Sequence, residues 1–238
     1  MRGAIYTVVL IAGALAGGQT LPTFELPGTL QLRDAPAEST PIERLGPVRV
    51  RSLEHLNVVD AQLDRNGRFV LKNVVSGRYS LILPFPGRIQ SFTSGIRDLV
   101  PDGFDLSVSD ALPLRIVVSL KTAVLSVEAR GLPNEPRDLV VLLAPADPYL
   151  TLQESCFSNR LTEQQTKFRF LTPGKYRIFV VNSGLEGDVA AYAPRFPAFL
   201  KDNATAVEVL AEGETTARAT YLDSDTVKAA ILRVGPLR

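Results

Sequence analysis

Three observations predict an all-β chain built as two tandem Greek-key β-sandwich domains. First, Val, Leu, Ile and Thr are abundant, and 17 Gly and 17 Pro punctuate the 238 residues at short intervals. That is the profile of many short strands joined by turns. Second, apolar and polar residues alternate in several runs, most strictly in Val48-Arg-Val-Arg-Ser-Leu53, with the period of two of a half-buried strand. Third, a short phrase recurs 97 positions apart: Val74-Val-Ser-Gly-Arg-Tyr79 and Leu171-Thr-Pro-Gly-Lys-Tyr176. Each copy opens into an apolar run. The second spells Leu-x-Pro-Gly-x-Tyr, the sequence form of a tyrosine corner, in which a phenol donates to upstream backbone where the chain changes sheets. The residues expected to form the two corners are Gly77 and Tyr79, then Leu171, Pro173, Gly174 and Tyr176. All are expected to be structural.

At the N-terminus, Arg2, the apolar run from Ile5 to Ala16 and Ala14-Leu15-Ala16 predict a secretion signal over 1–16, cleaved before Gly17. An uncleaved anchor is the alternative, but the stretch is short for roughly 30 Å of hydrocarbon. No Cys follows the cleavage site, so a lipid anchor is not expected. The tail, 226–238, is too short and too charged to span a membrane. The product is expected to be secreted, or held in the periplasm or cell envelope.

The first domain is placed at 22–121. It opens with a strand at Gly28–Arg33, an exposed loop and the Val48–Leu53 strand. Asn66-Gly67, between Val58–Leu63 and Arg68–Val74, predicts a hairpin with positive φ at both central positions. Tyr79, Leu81 and Leu83 should line one face of the next strand, which Pro84-Phe-Pro-Gly87 stops. The segment 96–110 is acidic and turn-rich, and 112–120 is a strong strand. The seam falls at Lys121-Thr122, where a closing strand abuts an opening one. The second domain is placed at 122–225, with Leu139–Ala144 as a buried strand, a long polar loop at 145–162 and an irregular region at 185–203. That region should hold one helical turn around 196–201. One large sandwich is the alternative arrangement.

The corners and their flanks carry a resemblance. Asp64-Arg-Asn-Gly67-Arg-Phe69 precedes the first corner, and Phe168-Arg-Phe-Leu171-Thr-Pro-Gly174-Lys-Tyr176 spans the second. They resemble bacterial carboxypeptidase regulatory-like, or transthyretin-like (prealbumin-like), domains of exported multidomain proteins. Leu139–Ala144 and Phe196-Pro-Ala-Phe-Leu200 are similar to other parts of such repeats, and the likeness covers about residues 50–225. Ser76 stands where Pro is usual, and Glu163-Gln-Gln replaces Asp-x-x-Gly. The resemblance implies a transthyretin-like or Ig-like sandwich; its motifs are specific for fold and not for activity. In metallocarboxypeptidases such a module accompanies a zinc peptidase domain, whose ligands include at least two histidines; this chain has one, His55.

Composition excludes further classes. A net charge of +1 gives no electrostatic footprint for nucleic acid or anionic lipid. Cys156, the only cysteine, cannot form an intramolecular disulfide and is expected to be a small buried hydrophobe. His55 and Glu54 are adjacent, so on a strand they point to opposite faces and do not converge on a metal. Asp98, Asp102, Asp105 and Asp110 could surround calcium, but they lack the Asp-x-Asp-x-Asp-Gly spacing and are better read as solvated turns, as are Asp223 and Asp225. There is no Trp; Tyr149, Phe157, Tyr192, Phe196 and Phe199 could form a sugar platform, with packing under loops as the alternative. The sequon Asn203-Ala-Thr205 is given no weight, because the resemblance implies a bacterial context. No Gly-x-Ser-x-Gly elbow or phosphate loop occurs.

The expectation is therefore a non-enzymatic structural or protein-interaction module, with no cofactor, no metal and no membrane span after cleavage. The alternative is a carbohydrate-binding module or an accessory domain of an extracellular hydrolase. Its partner would be an unidentified protein or glycan, met through the loops at 88–110, 145–165 and 185–203.

Overall fold

Alternation in the sequence becomes two-sided strands in a computed structural model that describes residues 21–35, 40–55, 57–133, 138–151, 156–192, 203–211 and 213–234. The expected secretion signal and the expected helical turn around 196–201 lie outside the described residues. The chain is mostly β and divides into two compact units. The first runs to Phe85 and resumes from Ile89 to Leu120; the second comprises Pro86–Arg88 and everything from Lys121.

In the first unit, β1 (Thr23–Arg33), β4 (Arg68–Val75), β6 (Arg88–Ser94), β7 (Arg97–Asp98) and β9 (Leu114–Ser119) form a sheet of order β4-β1-β9-β6-β7. A second sheet, of order β3-β2-β5-β8, is made by β2 (Val48–Ser52), β3 (Val58–Ala61), β5 (Gly77–Ile82) and β8 (Phe104–Leu106). Inward residues Leu26, Leu30, Val48, Val50, Phe69, Leu71 and Ile116 are buried. Phe92 meets Phe104 edge to face at 4.9 Å between ring centres. Valines and arginines alternate in β2 because one face meets this core and the other meets water.

The second unit repeats the plan. Its first sheet is β13-β10-β16, from β10 (Ala123–Arg130), β13 (Gln165–Leu171) and β16 (Glu214–Thr220). Its second is β12-β11-β14-β15, from β11 (Leu139–Pro145), β12 (Phe157–Arg160), β14 (Gly174–Asn182) and β15 (Thr205–Val209). In each unit the opening strand pairs antiparallel with the fourth and parallel with the last. The additions differ. The first unit extends its opening sheet with β6 and β7. The second covers its other sheet with α1 (Glu186–Tyr192) and α2 (Ser224–Val234). Val189, Val227 and Ala230 from these helices pack on Val140, Leu142, Phe179 and Val181. That cover explains the unbroken apolar run in β11: its odd-numbered residues face the sandwich core and its even-numbered ones the helices. Among the described residues, no helix is long and apolar enough to cross a membrane.

Several expectations change. The start of the expected tail is α2, capped by Asp223, whose Oδ1 accepts from the Thr226 N–H at 2.8 Å. The region 88–110 contains strands β6 to β8, β12 lies in the expected polar loop, and α1 occupies part of 185–203. The strands flanking Asn66-Gly67 do not form a hairpin: β3 and β4 belong to different sheets. Of the two residues only Gly67 has a positive φ, 71°. Asp64 organises the turn instead, its Oδ1 accepting from the N–H groups of Asn66 and Arg68, each at 2.8 Å.

The matching turn in the second unit is tighter. Thr162 and Gln165 exchange backbone hydrogen bonds of 3.0 and 2.9 Å around Glu163 and Gln164, whose φ values are 50° and 69°. Two left-handed residues in a two-residue loop suit Asn-Gly, and Glu-Gln is a costly occupant. A bulge in the fourth strand of each unit repeats the theme. Asn73 (φ 58°) occupies the left-handed position in β4, and Phe170 (φ 59°), 79% exposed, occupies its counterpart in β13. Asn tolerates that conformation; Phe does so at a cost. Gln164→Gly and Phe170→Asn should each raise stability by about 0.5–1 kcal/mol, the relieved strain of the former being partly offset by added chain entropy. Higher midpoints in chemical denaturation would show this; an unchanged midpoint for both would contradict the strain.

Candidate functional site

The repeated phrase builds the same local device twice. Each fourth strand crosses to the other sheet through a short turn, and the tyrosine two residues past the glycine points into the core. Tyr79 Oη donates to the Val75 carbonyl at 2.8 Å and Tyr176 Oη to the Thr172 carbonyl at 2.7 Å. Both rings are buried, as are Leu171, Pro173 and Gly174, while Gly77 is half-buried.

A carboxylate stands over the glycine of each phrase, and the sequence phrase does not contain it. A Cβ on Gly77 would lie 2.9 Å from Glu54 Oε2, and one on Gly174 would lie 3.3 Å from Asp147 Oδ2 and 3.0 Å from Leu150 Cδ2. The matching backbone bonds, Leu53 N–H to the Arg78 carbonyl and Ala146 N–H to the Lys175 carbonyl, are each 2.8 Å. The legible signal was an apolar residue followed by an acid just past the second strand of each unit, Leu53-Glu54 and Ala146-Asp147. Asp147 is 6% exposed; Oδ1 accepts from the Tyr149 N–H at 3.0 Å and Oδ2 lies 3.2 Å from Arg88 Nη2. Burial pushes the Tyr176 hydroxyl well above the ordinary phenol range; the Asp147 carboxylate adds to this and Arg88 opposes it. Burial also raises Tyr79, its bond to the Val75 carbonyl lowers it, and Glu54 raises it again. These groups bond the backbone around the two turns.

The other expected sites stay apart. His55 is exposed, and its backbone N–H donates to Ser52 Oγ at 3.0 Å. Asp98, Asp102 and Asp105 are exposed. Among the described residues, no three His, Cys, Asp or Glu side chains come together as a metal site. Of the five aromatics weighed as a sugar platform, Tyr149 and Phe157 are half-buried, and Phe157 packs on the core. Phe196, Phe199 and the side chain of Tyr192 lie outside the described residues.

Cys156 is half-buried against the helix-covered face of the second unit. Burial pushes its thiol up to about 11, opposed by a hydrogen bond with the Leu143 backbone and reinforced by Glu186. At pH 8 about one molecule in a thousand would carry the thiolate, against roughly a quarter for a free cysteine. Alkylation of the folded protein by iodoacetamide should therefore be at least about a hundredfold slower than of the denatured chain. Equal rates would contradict this environment.

One surface feature separates the units. On the outer face of the first unit's five-stranded sheet, Arg33, Gln90, Ser91, Thr93, Gly95, Arg115 and Val117 line a cleft of about 480 Å³. It exists because β6 extends the sheet beyond β9, an addition the second unit lacks.

No protein-family model matches the chain, and no curated protein matches it in sequence. Solved structures do. The minor pilin GBS52 of Streptococcus agalactiae is 13% identical over 83% of this chain and 94% of its own, with a TM-score of 0.37. The shaft pilin SpaA of Lactobacillus rhamnosus GG is 8% identical over 83% of this chain and 97% of its own, with a TM-score of 0.25. The match to the Bacillus anthracis TIE protein is 12% identical and spans 84% of this chain but 33% of that protein, with a TM-score of 0.25.

Proposed function

We propose that this chain is an exported, non-enzymatic protein of two tandem Greek-key β-sandwich domains, 22–121 and 122–225, each locked by a tyrosine corner. It works as a structural or protein-interaction module at the cell envelope or outside the cell. The observation that carries this reading is the repeat itself. Two units share one strand plan and use their buried polar groups internally. Tyr79, Tyr176 and Asp147 serve the corners, Ser94 Oγ donates to the Leu112 carbonyl, and Ser119 Oγ donates to Asp34 Oδ2. Function is then left to the surface, where loops and added strands differ between copies. Export is supported by Arg2, the apolar run to Ala16 and Ala14-Leu15-Ala16.

The test is cell fractionation in a bacterial host. The product should leave the cytoplasm with Gly17 as its first residue, and native electrophoresis should place it in a complex larger than the chain. A protein that keeps Met1 in the cytoplasm, or runs alone in every fraction, would overturn the reading.

A further inference from the structure

The opening sheets of the two units carry arginines on their outer faces, and in the second unit two of them share a carboxylate. In the second unit Glu128 of β10 lies in register between Gln165 and Arg218. Arg218 Nε is 3.1 Å from Glu128 Oε2, and Arg130 Nε is 3.7 Å from Glu128 Oε1. Lys167 and Glu214 form a second pair on the same face, at 2.8 Å. In the first unit Glu128's register position is held by Thr29, flanked by Arg68 on β4 and Arg115 on β9. Arg115 is thus the counterpart of Arg218, with a hydroxyl across from it where the other copy has a carboxylate. Among the described residues, the guanidinium groups of Arg33, Arg68 and Arg115 have no ion-pair or hydrogen-bond partner.

Two of these arginines, Arg33 and Arg115, line the cleft that β6 creates. Beyond Arg115, on β6, stand Gln90, Ser91 and Thr93, each able to donate and to accept. Val117, 5% exposed, supplies an apolar floor. Asp98, across from Thr93 on the edge strand β7, lies outside the lining.

We propose that this cleft binds an acidic polysaccharide, with carboxylates held by Arg115 and Arg33 and ring hydroxyls by Gln90, Ser91 and Thr93. Arginine's planar fork matches a carboxylate with two parallel bonds. Arg33 lies four positions beyond Thr29, the register partner of Arg115, or about 13 Å along the strand. That spacing serves two acidic groups set apart along one polymer better than one small anion. Neutral groups that both donate and accept suit sugar hydroxyls, which do the same; an acidic peptide has no such need. Nucleic acid is disfavoured because the cleft offers no aromatic platform for a base.

The inference rests on the reading of the chain as a surface-acting module, but its test is independent of export. The purified full chain is titrated by calorimetry with hexagalacturonate, maltohexaose and poly-glutamate of matched charge. Saturable binding of hexagalacturonate is expected, with maltohexaose and poly-glutamate at least roughly tenfold weaker. Thr29→Glu would place opposite Arg115 the carboxylate that Glu128 gives Arg218, and so should weaken hexagalacturonate binding by roughly tenfold or more without loss of fold. Arg115→Ala should weaken it comparably. Absent binding by the wild type, poly-glutamate binding as tightly, or unchanged binding by both variants would overturn the proposal. The fractionation result would stand either way.

Discussion

Gly28→Val is expected to destabilise the first unit by about 3 kcal/mol or more, a loss visible as a lower thermal midpoint. Gly28 on β1 faces Phe69 on β4. A Cβ at Gly28 would lie 2.2 Å from Phe69 Cζ and 2.7 and 2.8 Å from the neighbouring ring carbons. Phe69 is 3% exposed, so its ring fills space that a close-packed core cannot give back. The second unit solves the same position with the sizes exchanged: Val127 stands where Gly28 does, and Thr166 stands where Phe69 does. Phe69→Thr in the Gly28→Val background should therefore recover at least about 1 kcal/mol relative to additivity. A single variant that melts with the wild type, or a double variant that is merely additive, would show that the ring does not lie over the glycine.

Tyr176→Phe is the second large effect, at about 1–3 kcal/mol, because it leaves the Thr172 carbonyl without a donor in a buried site. Tyr79→Phe should cost less. Its bond to Val75 is only partly buried, so water can replace the lost donor. Parallel urea titrations of the two variants compare the two bonds directly, and equal losses would contradict the difference in burial. The tyrosines also set an alkaline limit. A hydroxyl whose folded pKa is raised contributes stability fully present below the unfolded phenol value, about 10, and lost as pH rises through the folded one. Tyr176→Phe should remove part of that alkaline fall while lowering stability at neutral pH.

What was legible in the sequence was local. The Gly and Tyr of each phrase implied a phenol bonded to upstream backbone; Tyr79 and Tyr176 each donate to the carbonyl four residues earlier. The alternation of Val48–Leu53 and the apolar run of Leu139–Ala144 implied one-sided and fully buried strands, as found. Pairing was not legible. Asn66-Gly67 looked like a two-residue hairpin because the dipeptide favours that turn, but its flanks choose different sheets, a decision made by distant core contacts. Helix α2 was available and missed: Asp223 caps it, and Val227, Ala230 and Ile231 repeat at helical spacing. The unpaired arginines were out of reach, since Thr29 acquires meaning only when its register partners, Arg68 and Arg115, are known.

The parallel pairing of opening and closing strands has a mechanical consequence. Because β1 and β9 run the same way, a pull on the two ends of the first unit drags these neighbours in opposite directions along their length. Six register pairs, from Gly28–Leu114 to Arg33–Ser119, then resist together instead of opening one by one. The second unit sets seven such pairs against the same load, from Val124–Glu214 to Arg130–Thr220. Resistance to force is set by how fast that sheared ladder breaks rather than by equilibrium stability. A pull on the two ends of either unit therefore loads its ladder in shear rather than by unzipping.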